Sequence, residues 1–154
     1  DGDCVTAEYS DTGDDKWKIE VLNTQKYLSD GTANAVIGAA KVINDATLGV
    51  KFAALQPAGN YQVVNVEYDD FVIVYSCTTV VPFSLGLFSF ELAWVLSRDR
   101  VLSDSTYAYI EAIFEEKLPY YQFPGDFDQT DQDEAGCTAI TAEPEITGRY
   151  EPWL

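Results

Sequence analysis

The chain contains no histidine and no methionine, and its 154 residues include 9 basic against 26 acidic side chains and three cysteines. Without imidazole, the side chain whose charge changes between pH 5 and 8 is missing, so acid–base catalysis near neutrality has no ready agent. The formal charge of −17 repels nucleic acid and anionic membrane surfaces and excludes that class of partner. The acidity itself reads as solubility. An odd number of cysteines means that at most two pair with each other, leaving one free or bonded elsewhere. No N-x-S/T sequon occurs, so N-glycans are not expected. The longest apolar run, residues 78 to 90, is broken by Pro82, Ser84, Gly86 and Ser89, which excludes a transmembrane helix there. A chain that begins at Asp1 and lacks methionine reads as a mature, processed product with a secretory history, a setting in which cysteines oxidise.

What is present is apolar substance: 47% hydrophobic and 14% aromatic residues, enough for a single folded domain over residues 1–154. From residue 3 to 98 short alternating runs rich in β-branched and aromatic residues are separated by turn residues, the pattern of an antiparallel barrel or sandwich. Seven strands are predicted, at 3–10, 16–26, 33–42, 47–55, 60–68, 71–78 and 88–98. The connections DTGDD (11–15), SDGT (29–32), QPAGN (56–60) and DD (69–70) carry turn chemistry. A helix follows, capped by Ser103 or Asp104, with Tyr107, Ile110, Ile113 and Phe114 on its apolar stripe and Pro119 as its stop. Residues 120–154 are expected to form an irregular tail that Cys137 ties down. The acidic stretch FDQTDQDE at 127–134 lacks the glycine and terminal glutamate of a calcium loop and reads as solvated, so no metal site is predicted.

Charges tell which face of each strand is wet, because side chains alternate across it. Glu8 outward sends Val5, Ala7 and Tyr9 inward. Lys16, Lys18 and Glu20 outward send Trp17, Ile19, Val21, Asn23 and Gln25 inward. Lys51 outward leaves Val50, Phe52 and Ala54 inward, and Glu91 outward leaves Phe88, Phe90, Leu92 and Trp94 inward. FVIVYSC (71–77) is apolar on both faces, so this argument is silent there; if Cys77 bonds to something on the outer wall, Val72, Val74 and Ser76 face in. Amides such as Asn23 and Gln25 in an apolar interior either meet a ligand or waters in a cavity, or sit at the mouth in bulk water.

Four blocks, GDCVTAEYS, KIEVLN followed by DGT, DDFVIVYSC, and AWVLSRDRVLS leading into the helix, together with the tail EAGCTAITAEPEITG, resemble the lipocalin family over residues 2 to about 148. The likeness is nearest to its apolipoprotein D and insect bilin-binding branches. The resemblance implies an all-β, eight-stranded antiparallel barrel, seven strands of it visible here, with one C-terminal helix packed outside. Two features depart from the pattern. The strand-end TDY reads VEY at Val66 to Tyr68, and no Gly-x-Trp first strand precedes Cys4. The family's pattern pairs Cys4 with Cys137 and Cys77 with a cysteine ahead of the first strand. An N-terminal segment, either a separate chain or one preceding residues 1–154, is therefore expected to complete the barrel and to bond Cys77. Arg98 is expected to cap the closed end as a structural residue and, without the first strand, to be unpaired.

The resemblance also implies a secreted, extracellular carrier of a small hydrophobic molecule. Phe52, Val74, Phe90, Leu92 and Trp94 suit a flat conjugated ligand, and Val36, Val50 and Val63 complete the apolar lining. Asn23, Gln25, Tyr61 and Ser76 are placed to hydrogen-bond its polar ends. A bilin such as biliverdin is the expected ligand, with a carotenoid or a fatty acid or other lipid as alternatives. Lipid isomerisation by a cavity thiol is the enzymatic alternative, and the missing histidine together with an outward Cys77 argues against it. TTVVPFSLGLF (78–88) falls at the mouth, where an apolar loop covers the ligand, packs on a second copy or touches lipid. The net charge favours the first two over membrane contact.

Overall fold

Extended segments of five to twelve residues cannot satisfy their backbone donors and acceptors alone, so this chain must pair its strands edge to edge. The computed structural model describes residues 2–80 and 88–153, the side chains of 79, 80 and 88–90 excepted. Its elements are β1 (Asp3–Asp11), β2 (Ile19–Lys26), β3 (Ala33–Asn44), β4 (Thr47–Lys51), β5 (Gly59–Glu67), β6 (Phe71–Val80), β7 (Phe88–Ser97), α1 (Asp104–Lys117), α2 (Glu134–Ala139) and β8 (Glu145–Arg149). Strands β1 to β7 pair in sequence order, each antiparallel to the next. Among the described residues β1 and β7 do not pair with each other, so the curled sheet has a seam between its two edge strands.

The turns form as their chemistry dictates. Gly13 and Gly31 take positive φ of 72° and 73°, the left-handed region open to glycine at little cost. Asp14 and Asp30 accept backbone N–H groups of their own turns, and those bonds hold both carboxyls below the ordinary range. The first turn also corrects an expectation. Residues 15–17 form a bend and β2 begins at Ile19, so Trp17 is not an inward strand residue. It is buried edge-on to Tyr150, with ring centroids 5.5 Å apart. Likewise β4 ends at Lys51, which leaves Ala54 exposed in the following loop instead of facing in.

The main hydrophobic core lies outside the barrel. Ile110, Ile113 and Phe114 of α1 bury themselves against Phe71 and Ile73 of β6, together with Phe123 from the tail. Each large side chain so buried contributes roughly 1.5–3 kcal/mol. Phe114 stacks on Phe123 at 5.4 Å and meets Phe127 edge-on at 5.0 Å. Ser103 caps α1 by accepting from Thr106 N–H, and Lys117 stands in the last turn, opposite in sign to the helix's negative end.

The tail is more ordered than its composition suggests. Asp133 caps α2, which positions Cys137 for its disulfide with Cys4 across 133 residues of sequence. Closing a loop of that length removes about 5 kcal/mol of chain entropy from the unfolded state. Cys4 N–H donates to the Asp131 carbonyl at 2.7 Å and Gln132 Nε2 donates to the Val5 carbonyl at 2.9 Å, so the tail runs along the first part of the β1 edge. Strand β8 then pairs parallel with β3 at Asn34–Ile37, where β4 does not reach.

One glycine is required by close approach. A Cβ at Gly38 would lie 2.5 Å from both the Lys51 carbonyl oxygen and the Phe52 ring, and the carbonyl cannot move without disturbing the β3–β4 ladder. Gly38→Val should therefore lower the unfolding free energy by about 1–3 kcal/mol, read as a drop in urea midpoint. An unchanged midpoint would show that Phe52 does not pack there.

Candidate functional site

Paired residues in an antiparallel sheet share a face, so register assigns the lining residue by residue. Tyr9 pairs with Val21 and Val21 with Gly38; Ala7 pairs with Asn23 and Asn23 with Val36. Ala40 pairs with Val50, and Leu48 with Tyr61. Val63 pairs with Val74, Val74 with Trp94, and Ser76 with Leu92. Two contacts show that this face is the concave one. The hydroxyls of Tyr9 and Tyr61 lie 3.0 Å apart although β1 and β5 are four strands distant in the sheet. Tyr61 and Trp94, two strands apart, stack at 6.3 Å with an interplanar angle of 17°.

The concave face thus gathers Asn23, Val36, Val50, Tyr61, Val63, Val74, Ser76, Leu92 and Trp94 from the expected set. Phe52, just past β4, covers Gly38 from the same side. Gln25 shares the face, but its Nε2 donates to the Tyr27 hydroxyl at 2.7 Å, so its amide is occupied within the chain. The side chain of Phe90 lies outside the described residues, as does the loop at 81–87 expected at the mouth. Val74 is fully buried, whereas Leu92 and Trp94 are each 37% exposed and Tyr9 45%. Apolar side chains on a concave face that remain this accessible look onto unfilled space.

Tyr9 joins the site although it is not in the expected ligand-binding set; the outward Glu8 is the signal that places it inward. Its partner Tyr61 is largely desolvated, and that burial, reinforced by Tyr9, raises the Tyr61 phenol well above its ordinary value. Tyr61 therefore presents a neutral hydroxyl to the site.

Cys77 faces outward opposite Glu91, is half-buried, and is not in a disulfide. Its neighbour Tyr75 meets Tyr121 edge-on at 6.4 Å. Desolvation first, and then a hydrogen bond with Cys77, pushes the Tyr75 phenol up to about 12. Arg98 corrects another expectation. It is not unpaired: its Nε donates to the Tyr68 carbonyl at 3.1 Å and its N–H to the Asp70 carbonyl at 2.7 Å, fastening the β5–β6 turn to the end of β7. Two outer clefts, of ≈ 460 and ≈ 310 Å³, are lined by helix and tail residues such as Phe114 and Phe123, and Asp128 and Asp131.

Comparison with known proteins gives a consistent picture. The family described as "Lipocalin / cytosolic fatty-acid binding protein family" matches residues 1–126. Apolipoprotein D of Cavia porcellus is 36% identical over 115 residues, covering 73% of this chain and 57% of that protein. The Lazarillo protein of Schistocerca americana is 34% identical over 114 residues, covering 71% of this chain and 50% of that protein. The chain thus spans little more than half the length of the curated relatives it matches. Lobster apocrustacyanin A1 superimposes with a TM-score of 0.63 at 20% identity, covering 87% of this chain and 69% of that one, a likeness of fold.

The raised tyrosines give the molecule an alkaline signature. Because the folded state keeps Tyr61 and Tyr75 protonated where the unfolded chain would ionise them, their contribution to stability is intact below pH 10 and is lost as pH rises past it. Absorbance at about 295 nm should show tyrosinate forming in the native protein at ~pH 11 for fewer than all ten tyrosines. The remainder should appear with unfolding. Complete ionisation at that pH with the fold intact would contradict the desolvation of Tyr61 and Tyr75.

Proposed function

The chain belongs to the lipocalin / cytosolic fatty-acid binding protein family, and from that premise we propose that it carries a small hydrophobic ligand, a bilin of the biliverdin type, within the cup. The observation that carries this reading is the concave face itself: the Tyr61–Trp94 stack with half-exposed Leu92 and Trp94 beside it. A flat conjugated molecule lying there buries these side chains at roughly 25 cal/mol per Å² of apolar surface removed from water. Asn23 and Ser76, half-buried and without a side-chain partner among the described residues, are available to its polar groups. The outward placement of Cys77 favours carriage over thiol chemistry inside the cup. The Cys4–Cys137 disulfide supports a secreted, extracellular protein.

We further propose that the seam between β1 and β7 takes an extended segment held covalently through Cys77. Among the described residues no strand pairs the seam edges of β1 and β7, the first part of β1 being lined by the tail, and the thiol faces outward on β6, one strand in from the seam. Protein purified from its source without reduction should show Cys77 unreactive to thiol reagents, and its proteolytic digest should contain a further peptide cross-linked to the Cys77 fragment that reduction releases. Cys77 reactive in that material, with no peptide released, overturns the tether. A second copy of the chain released instead would make the seam a dimer contact.

The carrier reading is tested by the visible spectrum of the native protein. A broad red band with a near-ultraviolet companion is the expected result and identifies a bilin. A single blue-green envelope would replace it with a carotenoid. Transparency together with a lipid in the organic extract would replace it with a colourless lipid. No extractable ligand, and none bound in titration, would overturn the carrier reading.

A further inference from the structure

The hydroxyl pair at the heart of the cup has a proton left over. Two phenols 3.0 Å apart share one hydrogen bond, in which either oxygen is the donor. Each hydroxyl has one O–H, so the pair uses one and retains the other. Among the described residues no other group accepts that second O–H, which lies beside the Tyr61–Trp94 stack; Tyr61 is largely desolvated while Tyr9 is 45% exposed, so a carbonyl seated on the pair takes the place of water as the acceptor.

The charges on the chain decide what that group is. A carboxylate would need a cation beside it, since a buried unpaired anion is strongly disfavoured. All nine basic residues are engaged or placed elsewhere. Lys26, Lys41 and Lys51 pair with Ala33, Gly49 and Ala39 on the convex face. Lys117 donates from α1 to the Val64 carbonyl, and Arg98 reaches the Tyr68 carbonyl. Arg100 binds Gln132 in the tail and Arg149 pairs with Glu151. Lys16 and Lys18 lie exposed in the β1–β2 connection. Residues 81–87 contain no charged side chain at all. The cup therefore offers a neutral donor and no cation.

Resting on the carrier reading above, we propose that Tyr9 and Tyr61 form a selectivity site for an uncharged carbonyl oxygen at the end of a conjugated ligand, a ketone, aldehyde or lactam, and that the cup rejects the matching carboxylate. A ligand with carboxylate arms keeps them at the mouth. The remaining O–H donates to the carbonyl oxygen, while the ring system stacks along Trp94. This separates keto and lactam chromophores from fatty acids as cargo for the same barrel.

Three polyenes of one size test it: all-trans-retinal with a neutral carbonyl, all-trans-retinoic acid with a carboxylate, and the hydrocarbon axerophtene with neither. Quenching of tryptophan fluorescence in the ligand-free full chain should give a Kd for retinal about tenfold lower than for axerophtene, with retinoic acid the weakest of the three above its pKa. In the Tyr9→Phe/Tyr61→Phe double variant retinal should fall to the level of axerophtene, whose own affinity stays within about twofold. Retinoic acid binding as tightly as retinal, or a retinal preference that survives the double substitution, overturns the carbonyl site while leaving the carrier reading intact. Equal binding of retinal and axerophtene by the unsubstituted chain does the same and needs no variant to fold. Failure of all three to bind overturns this inference, while the carrier reading is decided separately by the visible spectrum and extract of the native protein.

Discussion

Packing of Ile110, Ile113 and Phe114 of the long helix onto Phe71 and Ile73 is the interaction on which the rest of the structure depends. It places the principal core on the convex side of the sheet. A barrel of this size has two ways to hold its strands in register: fill its inside, or anchor its outside. The helix and the aromatic cluster of Phe123 and Phe127 supply the outside anchor, which relieves the concave face of the duty to close-pack. An interior with half-exposed Leu92 and Trp94 is tolerable only because the stability resides elsewhere.

The same division sorts the polar groups. Basic side chains are spent on the outer surface, where Lys26 reaches the Ile140 carbonyl and Lys51 lies over the Tyr150 ring. Inside remain phenols, amides and a hydroxyl, groups that bond without carrying charge. Desolvation of Tyr61 keeps its proton in place, so the chemistry of the concave face is that of neutral donors and acceptors against aromatic planes.

The fold was legible in the sequence because one charged residue per strand was enough to settle its orientation. Glu8, Glu20, Lys51 and Glu91 fix the parity of four strands, and register carries it to β6, where FVIVYSC offers no charge. The helix was legible from its cap and stripe. Parity failed at strand ends: Trp17 lies before β2 begins, in the turn that Asp14 holds by accepting from the N–H groups of Lys16 and Trp17, and Ala54 lies past the end of β4. Strand β8 has no intrinsic pattern and exists because β3 has an unoccupied edge at Asn34–Ile37. Arg98 found carbonyls of its own neighbouring turn, an outcome that depends on the β5–β6 turn folding back. The hydroxyl contact of Tyr9 with Tyr61 spans 52 residues and depends on how tightly the sheet curls, which no strand states alone.

The tail's path along the first strand has a colloidal consequence. An exposed strand edge is a template on which a second chain can add, and seam edges of this kind invite fibre growth. The disulfide of Cys4 holds Asp131 and Gln132 against that edge, where they occupy the Cys4 N–H and the Val5 carbonyl. Beyond them Glu8 and Asp11 add like charges to a chain already at −17. Reduction of one bond would therefore do more than loosen the molecule. It would uncover the Cys4 N–H and the Val5 carbonyl at the start of that edge, and the protein would become prone to self-association as well as less stable.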